Sequence, residues 1–175
     1  GFVFFPGLYW LRWVGRLAMP AFAFGLARGF TLSSDRPRYF GRILIFALLA
    51  QIPFSLLFLT SQLNILFLFA ACLVLLYFVE QRSFILALIM GLALAYIPLD
   101  YGLYGALMVL IFYLFRQAPG LALAAQSLLI SGNAVLTGEY FQLFALPGAA
   151  LALYWPLGPA RVRLPRYFFY WFYPL

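Results

Sequence analysis

Apolar stretches of about 16 to 20 residues follow one another along this chain almost without pause, and the short segments between them hold nearly all of its charge. Of its 175 residues, 67% are apolar and only 9% are charged. A soluble domain carries about 25% charged residues, so this chain cannot cover itself with polar surface. A helix needs about 20 apolar residues to cross the hydrocarbon core, and fewer where the bilayer thins. No two-residue alternation is sustained, which argues against a membrane β-barrel. The expected fold class is therefore all-α: a polytopic transmembrane helical bundle of about eight to nine spans. No internal repeat or linker divides the chain, so residues 1–175 read as one transmembrane domain.

Charges and turn residues set the boundaries. Residues 1–10 read as the remnant of a first span, followed by spans over 13–30, 42–60, 64–79, 83–98, 102–115, 120–136 and 141–157. Residues 167–175 open a ninth. The first and last spans look truncated, as expected of a fragment of a longer chain.

The net charge of +7 comes from eleven arginines and four acids, with no lysine. In a soluble protein that balance would point to nucleic acid. Without a soluble basic domain, it points to a membrane, where basic loops stay cytoplasmic and attract anionic headgroups. The arginines alternate from loop to loop. Arg28, Arg36, Arg38 and Arg42 follow the second span, Arg82 the fourth, Arg116 the sixth, and Arg161, Arg163 and Arg166 the eighth. The intervening loops carry Asp100 and Glu139, or no charge near Ser61. The positive-inside rule then places the arginine loops of a multi-pass chain in the cytoplasm, with Asp100 and Glu139 on the other side of the membrane.

Arg12 and Arg16 break the pattern. They lie four residues apart at the outer end of the second span, on one helix face. Arg12 can reach the interface by snorkelling. Arg16 sits about one turn deeper, where an ionisable group is a functional candidate or an anchor that caps helix carbonyls.

Little else here can do chemistry. The chain has no histidine, which removes the commonest general base and metal ligand. No acid pair has metal-ligand spacing, and no glycine loop for phosphate is present, so no metal is expected. Gln51, Asn64, Gln126, Ser131 and Asn133 lie within spans and must hydrogen-bond inside the bundle, either as interhelical glue or as a polar site. Gln51 precedes Pro53, which can kink the span and open a cavity. Arg38 and Arg42 share a helix face, and arginine grips phosphate in a bidentate fork. Cys72 in its apolar run reads as a small buried residue, and the rings at span ends as an interfacial belt.

Several runs together resemble the TraX-like membrane proteins. They are GRLAMPAFAFGLARGF at 15–30, RYFGRILIFALLAQIPFSLLF at 38–58, LNILF at 63–67, DYGLYGALMVLIFYLF at 100–115 and YFFYWFYPL at 167–175. The resemblance covers the chain in order. It implies an integral-membrane acetyltransferase, since the family's namesake acetylates the N terminus of a conjugative pilin subunit and the family is similar to the larger membrane acyltransferases. The family carries an Asp-His pair just before the segment matched by Gly1–Pro6, and a His after that matched by Tyr173, Pro174 and Leu175. Both histidines would lie outside these residues, so the base is expected there. The chain departs from the family pattern at Arg28, at Leu32 and Ser33, and at Ser55.

The resemblance and the charge map combine into one expectation. Acetyl-CoA, the co-substrate, approaches from the cytoplasm with its phosphates on Arg36, Arg38, Arg42, Arg161, Arg163 and Arg166. An amine or hydroxyl acceptor, protein or small molecule, arrives at the outer side. Arg16 orients it or stabilises developing negative charge, and Gln51, Asn64, Asp100 and Tyr101 bind it. The partners are thus the lipid bilayer, acyl-CoA and the acceptor. The alternative is a non-enzymatic assembly or transport subunit whose arginine loops bind lipid.

Overall fold

A computed structural model describes the backbone of residues 10–154 and the side chains of residues 15–154. Among the described residues, seven α-helices run in this order: α1 (Trp10–Leu32), α2 (Arg36–Phe58), α3 (Ile65–Glu80), α4 (Phe84–Tyr96), α5 (Gly102–Leu114), α6 (Pro119–Thr137) and α7 (Ala145–Tyr154). A 3-10 helix over Tyr140–Phe144 leads into α7. No strand occurs among the described residues; a single bridge joins Leu63 to Leu99.

Local chemistry explains the boundaries. Asp35 caps α2 by accepting a hydrogen bond from Arg38 N at 3.0 Å, and Pro37 sits in the first turn, where its missing N–H costs nothing. Asn64 caps α3 by accepting from Leu66 N at 2.9 Å. Pro119 opens α6, and Gly138, at φ 71°, closes it in the left-handed conformation glycine favours. Six expected spans, from 13–30 to 120–136, thus correspond to α1 to α6.

The remaining spans differ. The run 141–157 is expected as one helix; it begins as the 3-10 helix and continues as α7 to the end of the described residues. Residues 1–9 and 155–175, with the expected first and ninth spans, lie outside the described region. Among the described helices, only α2 and α6 are both long and apolar enough to cross a membrane by themselves. The other helices of α3 to α7 are apolar but shorter, and α1 carries Arg12, Arg16 and Arg28. At 1.5 Å per residue, the 13 residues of α4 or α5 reach only about 20 Å.

The core lies between α1, α3 and α5, where Met19, Ala23, Leu26, Leu68, Leu76, Met108 and Val109 are buried. Gly148 of α7 and Gly105 of α5 let those helices approach α1 at Leu17 and Met19. By contrast, α2 packs mainly on α3, and α4 lies at the edge on α3 and α5. Their outer faces expose Ile45, Leu49, Ile52 and Leu56 of α2 and Phe84, Ile85 and Leu88 of α4. Apolar faces that large require lipid, so the chain is a membrane protein.

Gln126 and the Gln51–Asn64 pair are the polar glue of this bundle. Gln126 Nε2 donates to Met108 O at 2.8 Å, tying α6 to α5. Asn64 Nδ2 donates to Ala47 O at 2.8 Å and to Gln51 Oε1 at 3.0 Å, which ties the start of α3 to α2. Gln51 Nε2 donates in turn to Ser55 Oγ and to Gln62 O, both at 2.9 Å.

Candidate functional site

The alternation of loop charges becomes a polarity of the bundle. One end gathers Arg28, Arg36, Arg38 and Arg82, where α1 and α3 finish and α2 and α4 begin. The opposite end holds Asp100, Glu139 and Arg16, the inward exception.

A cavity of about 290 Å³ opens at that second end. Arg16 reaches it from α1, Asp100, Tyr101 and Tyr104 from the start of α5, and Asn133 from α6. Glu139, Gln142 and Gln62 complete its polar lining. Two backbone bonds set the floor: Leu63 N donates to Pro98 O, and Asp100 N donates to Leu63 O, both at 2.9 Å. They lock the connection before α3 to the one before α5. Tyr101 then adopts φ 64°, a conformation an L side chain rarely takes, and Gly102 follows at φ 41°. Such a left-handed residue costs about 1–2 kcal/mol, and strain of this kind gathers at functional sites. Its result here is a Tyr101 ring placed against Arg16.

Arg16 is surrounded by the groups that make a guanidinium tolerable near a bilayer. Its charge centre stands 5.3 Å from the Tyr101 ring and 5.0 Å from the Phe141 ring. Its Nη2 is 3.6 Å from Glu139 Oε2, longer than a charge-assisted hydrogen bond. Glu139 is itself held by Gln142 Nε2 at 3.0 Å, and Asn133 Nδ2 donates to Gln142 Oε1. With the Arg16 side chain 22% exposed and Glu139 44% exposed, the pair is open to the cavity.

Burial raises the Asp100 carboxyl above the ordinary 3.8, against the pull of Arg16 and of a backbone hydrogen bond at Tyr101. Burial also raises the Tyr101 phenol; Arg16 opposes that rise and Asp100 adds to it. The folded state thus holds the Asp100 proton more tightly than the unfolded chain does. Stability should fall as pH rises from the ordinary aspartate value through the raised one. Melting temperatures followed across that window should show the decline in the native protein and a flatter course in Asp100→Asn. Parallel curves for the two would refute it.

Of the expected acceptor-binding residues, Asp100 and Tyr101 join Arg16 in the cavity. Gln51 and Asn64 do not line it, and their polar atoms are satisfied by one another and by main chain. Gln62, two residues before Asn64, takes their place. Sequence reasoning passes over Tyr104, Gln142 and Gln62, gives Glu139 no role at a site, and leaves Asn133 between interhelical glue and a polar site. Only Asn133, polar within an apolar run, carried a signal of its own.

At the arginine end, the phosphate candidates separate. Arg36 forms a bidentate pair with Glu80, with Nη2 to Oε1 at 2.8 Å, and lies 4.5 Å over the Phe30 ring. Arg38 is exposed. Arg42 lies 5.8 Å over the Tyr39 ring, and its buried Nε has no hydrogen-bond partner. Arg161, Arg163 and Arg166 lie outside the described residues. Among the described residues, no group of three or more acidic, cysteine or histidine side chains could hold a metal.

Comparison with known proteins gives a consistent picture. The family profile described as TraX protein matches residues 1–175. The chain is similar to the probable fimbrial assembly protein FimC, serogroup H1, of Dichelobacter nodosus. The two are 31% identical over 192 residues, which covers 94% of this chain and 79% of the relative. No solved structure matches.

Proposed function

The chain belongs to the TraX family, and from that premise we propose that it is an integral-membrane acyltransferase acting in fimbrial or pilin assembly. In this reading it moves an acetyl group from cytoplasmic acetyl-CoA to an amine or hydroxyl acceptor, such as the N terminus of a pilin subunit. The observation that carries it is the cavity around Arg16, a part-buried cation with polar groups converging on one small space. The similarity to a protein named for fimbrial assembly supports the acceptor class.

The seven described helices, short ones included, cross the inner membrane as a compact bundle. The arginine end faces the cytoplasm. Acetyl-CoA supplies the activated acyl group. Arg38 and Arg42 hold its phosphates, because the buried Nε of Arg42 is a donor without a partner and Arg38 is exposed beside it. Arg161, Arg163 and Arg166 contribute from the same side. Arg36 gives two of its donors to Glu80 and stands beside this site.

At the outer end, Asp100, Tyr101 and Glu139 receive the acceptor, and Arg16 orients it and stabilises negative charge as it develops. The family's histidine, expected outside the chain, takes the acceptor's proton. From Arg16 to Leu32, α1 rises about 24 Å. Met19, Ala23, Leu26 and Ala27 fill the interior over that rise, so the acyl group's route skirts this core.

The test is acetyl-CoA binding to the purified full-length protein, measured by calorimetry with ATP as the anion control. Saturable binding that prefers acetyl-CoA is expected, weakened about tenfold or more when Arg38 and Arg42 are both changed to Glu. Equal affinity for ATP, or indifference to the double reversal, would favour a non-enzymatic assembly subunit instead.

A further inference from the structure

Three residues, Ser33 to Asp35, turn the chain from α1 into α2. A turn that short usually leaves two helices packed on each other. Here α2 leans on α3 instead, and a wedge remains between the end of α1 and the start of α2. It encloses about 280 Å³, lined by Phe30 of α1, Arg36 and Phe40 of α2, and Leu73, Val74 and Tyr77 of α3. Arg36 is its one charged lining residue.

An apolar wedge in a membrane protein does not stay empty, and its chemistry selects what fills it. The walls offer almost nothing to hydrogen-bond, so they suit an alkyl chain and reject a polar headgroup. The rim has the opposite character. Arg28, Arg38 and Arg82 are exposed at the same end of the bundle, with Asp35 and Glu80 as the acids near them. Arg36 stands at the boundary between the two regions. Glu80 and the Phe30 ring fix its guanidinium in place. The Glu80 pair uses two of its five N–H donors and leaves three.

We propose that this wedge is a binding site for an anionic phospholipid, with one acyl chain between α1, α2 and α3 and the phosphate on the remaining donors of Arg36. The site is separate from the Arg16 cavity and from the Arg42 Nε, although its rim shares Arg38 with the proposed acetyl-CoA site. Charge complementarity decides between lipids. A zwitterionic phospholipid could fill the wedge, but its cationic headgroup would meet the surrounding arginines. An anionic headgroup gains from each of them. The bound lipid would complete the packing of α2, the long helix with the least buried surface.

The experiment uses the purified full-length protein in detergent, with retained lipid read by native mass spectrometry. Phosphatidylglycerol is set against phosphatidylcholine of the same chains, and inorganic phosphate serves as competitor. Retention of phosphatidylglycerol is expected to exceed that of phosphatidylcholine by about fivefold or more. Val74→Trp, which fills the wedge from α3, should abolish it. Arg36→Gln should erase the preference for the anionic lipid while chain binding persists, and it keeps the proposal testable if Val74→Trp fails to fold. Leu92→Trp, on the exposed face of α4, should change nothing. Equal retention of the two lipids would overturn the site, as would full retention in Val74→Trp or displacement by inorganic phosphate. Absence of phosphatidylglycerol from the native protein would mean that another segment or protein occupies the wedge, and would overturn it equally.

Discussion

Replacing Gly148 with alanine is expected to lower the stability of the folded bundle by about 2–4 kcal/mol, read as a large drop in melting temperature in detergent. The reason is local and geometric. Gly148 lies in α7, where α7 packs directly against α1. A methyl group there would meet the carbonyl oxygen, carbonyl carbon and Cα of Leu17. All three are main-chain atoms, so no rotamer change relieves the contact and the two helices must move apart. Leu17 is the neighbour of Arg16, so the same movement displaces the cation at the cavity. Misplacement of a reacting group by about 1 Å can cost about 100-fold in rate, so activity should fall further than stability alone predicts. Gly132 in α6 is the control, because nothing lies within 4 Å of a methyl built there. Gly132→Ala should be neutral or stabilising by roughly 0.5–1 kcal/mol. If Gly148→Ala melts like the native protein, α1 and α7 are not in the contact described.

The contrast between these two glycines shows what the sequence could and could not convey. Helix positions were legible because they depend on local signals. Apolar runs end at Asp35-Arg36-Pro37, at Asn64, at Pro119 and at Gly138, and each is a known helix start or stop. The two-ended distribution of charge was legible for the same reason, since loop charges can be counted along the chain. Partnerships across the bundle were not. Arg36 and Glu80 are 44 residues apart, and their pairing depends on how α2 lies on α3. That pairing occupies two of the Arg36 donors, which composition could not anticipate. Asn64 was half legible: an asparagine before an apolar run is a helix-cap signal, and capping is what it does here. The expected helix over 141–157 is matched by a helical run from Tyr140 to Tyr154, but it opens as a 3-10 turn because its apolar run hides Gln142. That side chain turns back to Asn133 and Glu139, and the chain forms a 3-10 turn around it.

Arg16 carries the largest expected functional effect. Arg16→Ala in the full-length protein should reduce acetyl transfer by roughly 100- to 1000-fold, the usual consequence of removing a preorganised donor to developing negative charge. A purely structural arginine would also reduce activity, so the argument needs a second measurement. The bland reading is that Arg16 anchors the bundle through Glu139. Breaking that pair from the other side, with Glu139→Gln, should then cost as much as Arg16→Ala. The geometry argues otherwise. The contact is long at 3.6 Å, Glu139 is half exposed, and Arg16 keeps its Tyr101 and Phe141 contacts without it. Surface-like pairs of this kind contribute about 0–1 kcal/mol. Glu139→Gln should therefore leave kcat within a few-fold and act mainly on KM for the acceptor, while Arg16→Ala should lower kcat itself. Arg16→Lys keeps the charge but loses the planar fork, and should recover only part of the rate. Equal losses in Arg16→Ala and Glu139→Gln, or a neutral Arg16→Ala, would reduce Arg16 to an anchor and remove the central residue of the proposed acceptor site.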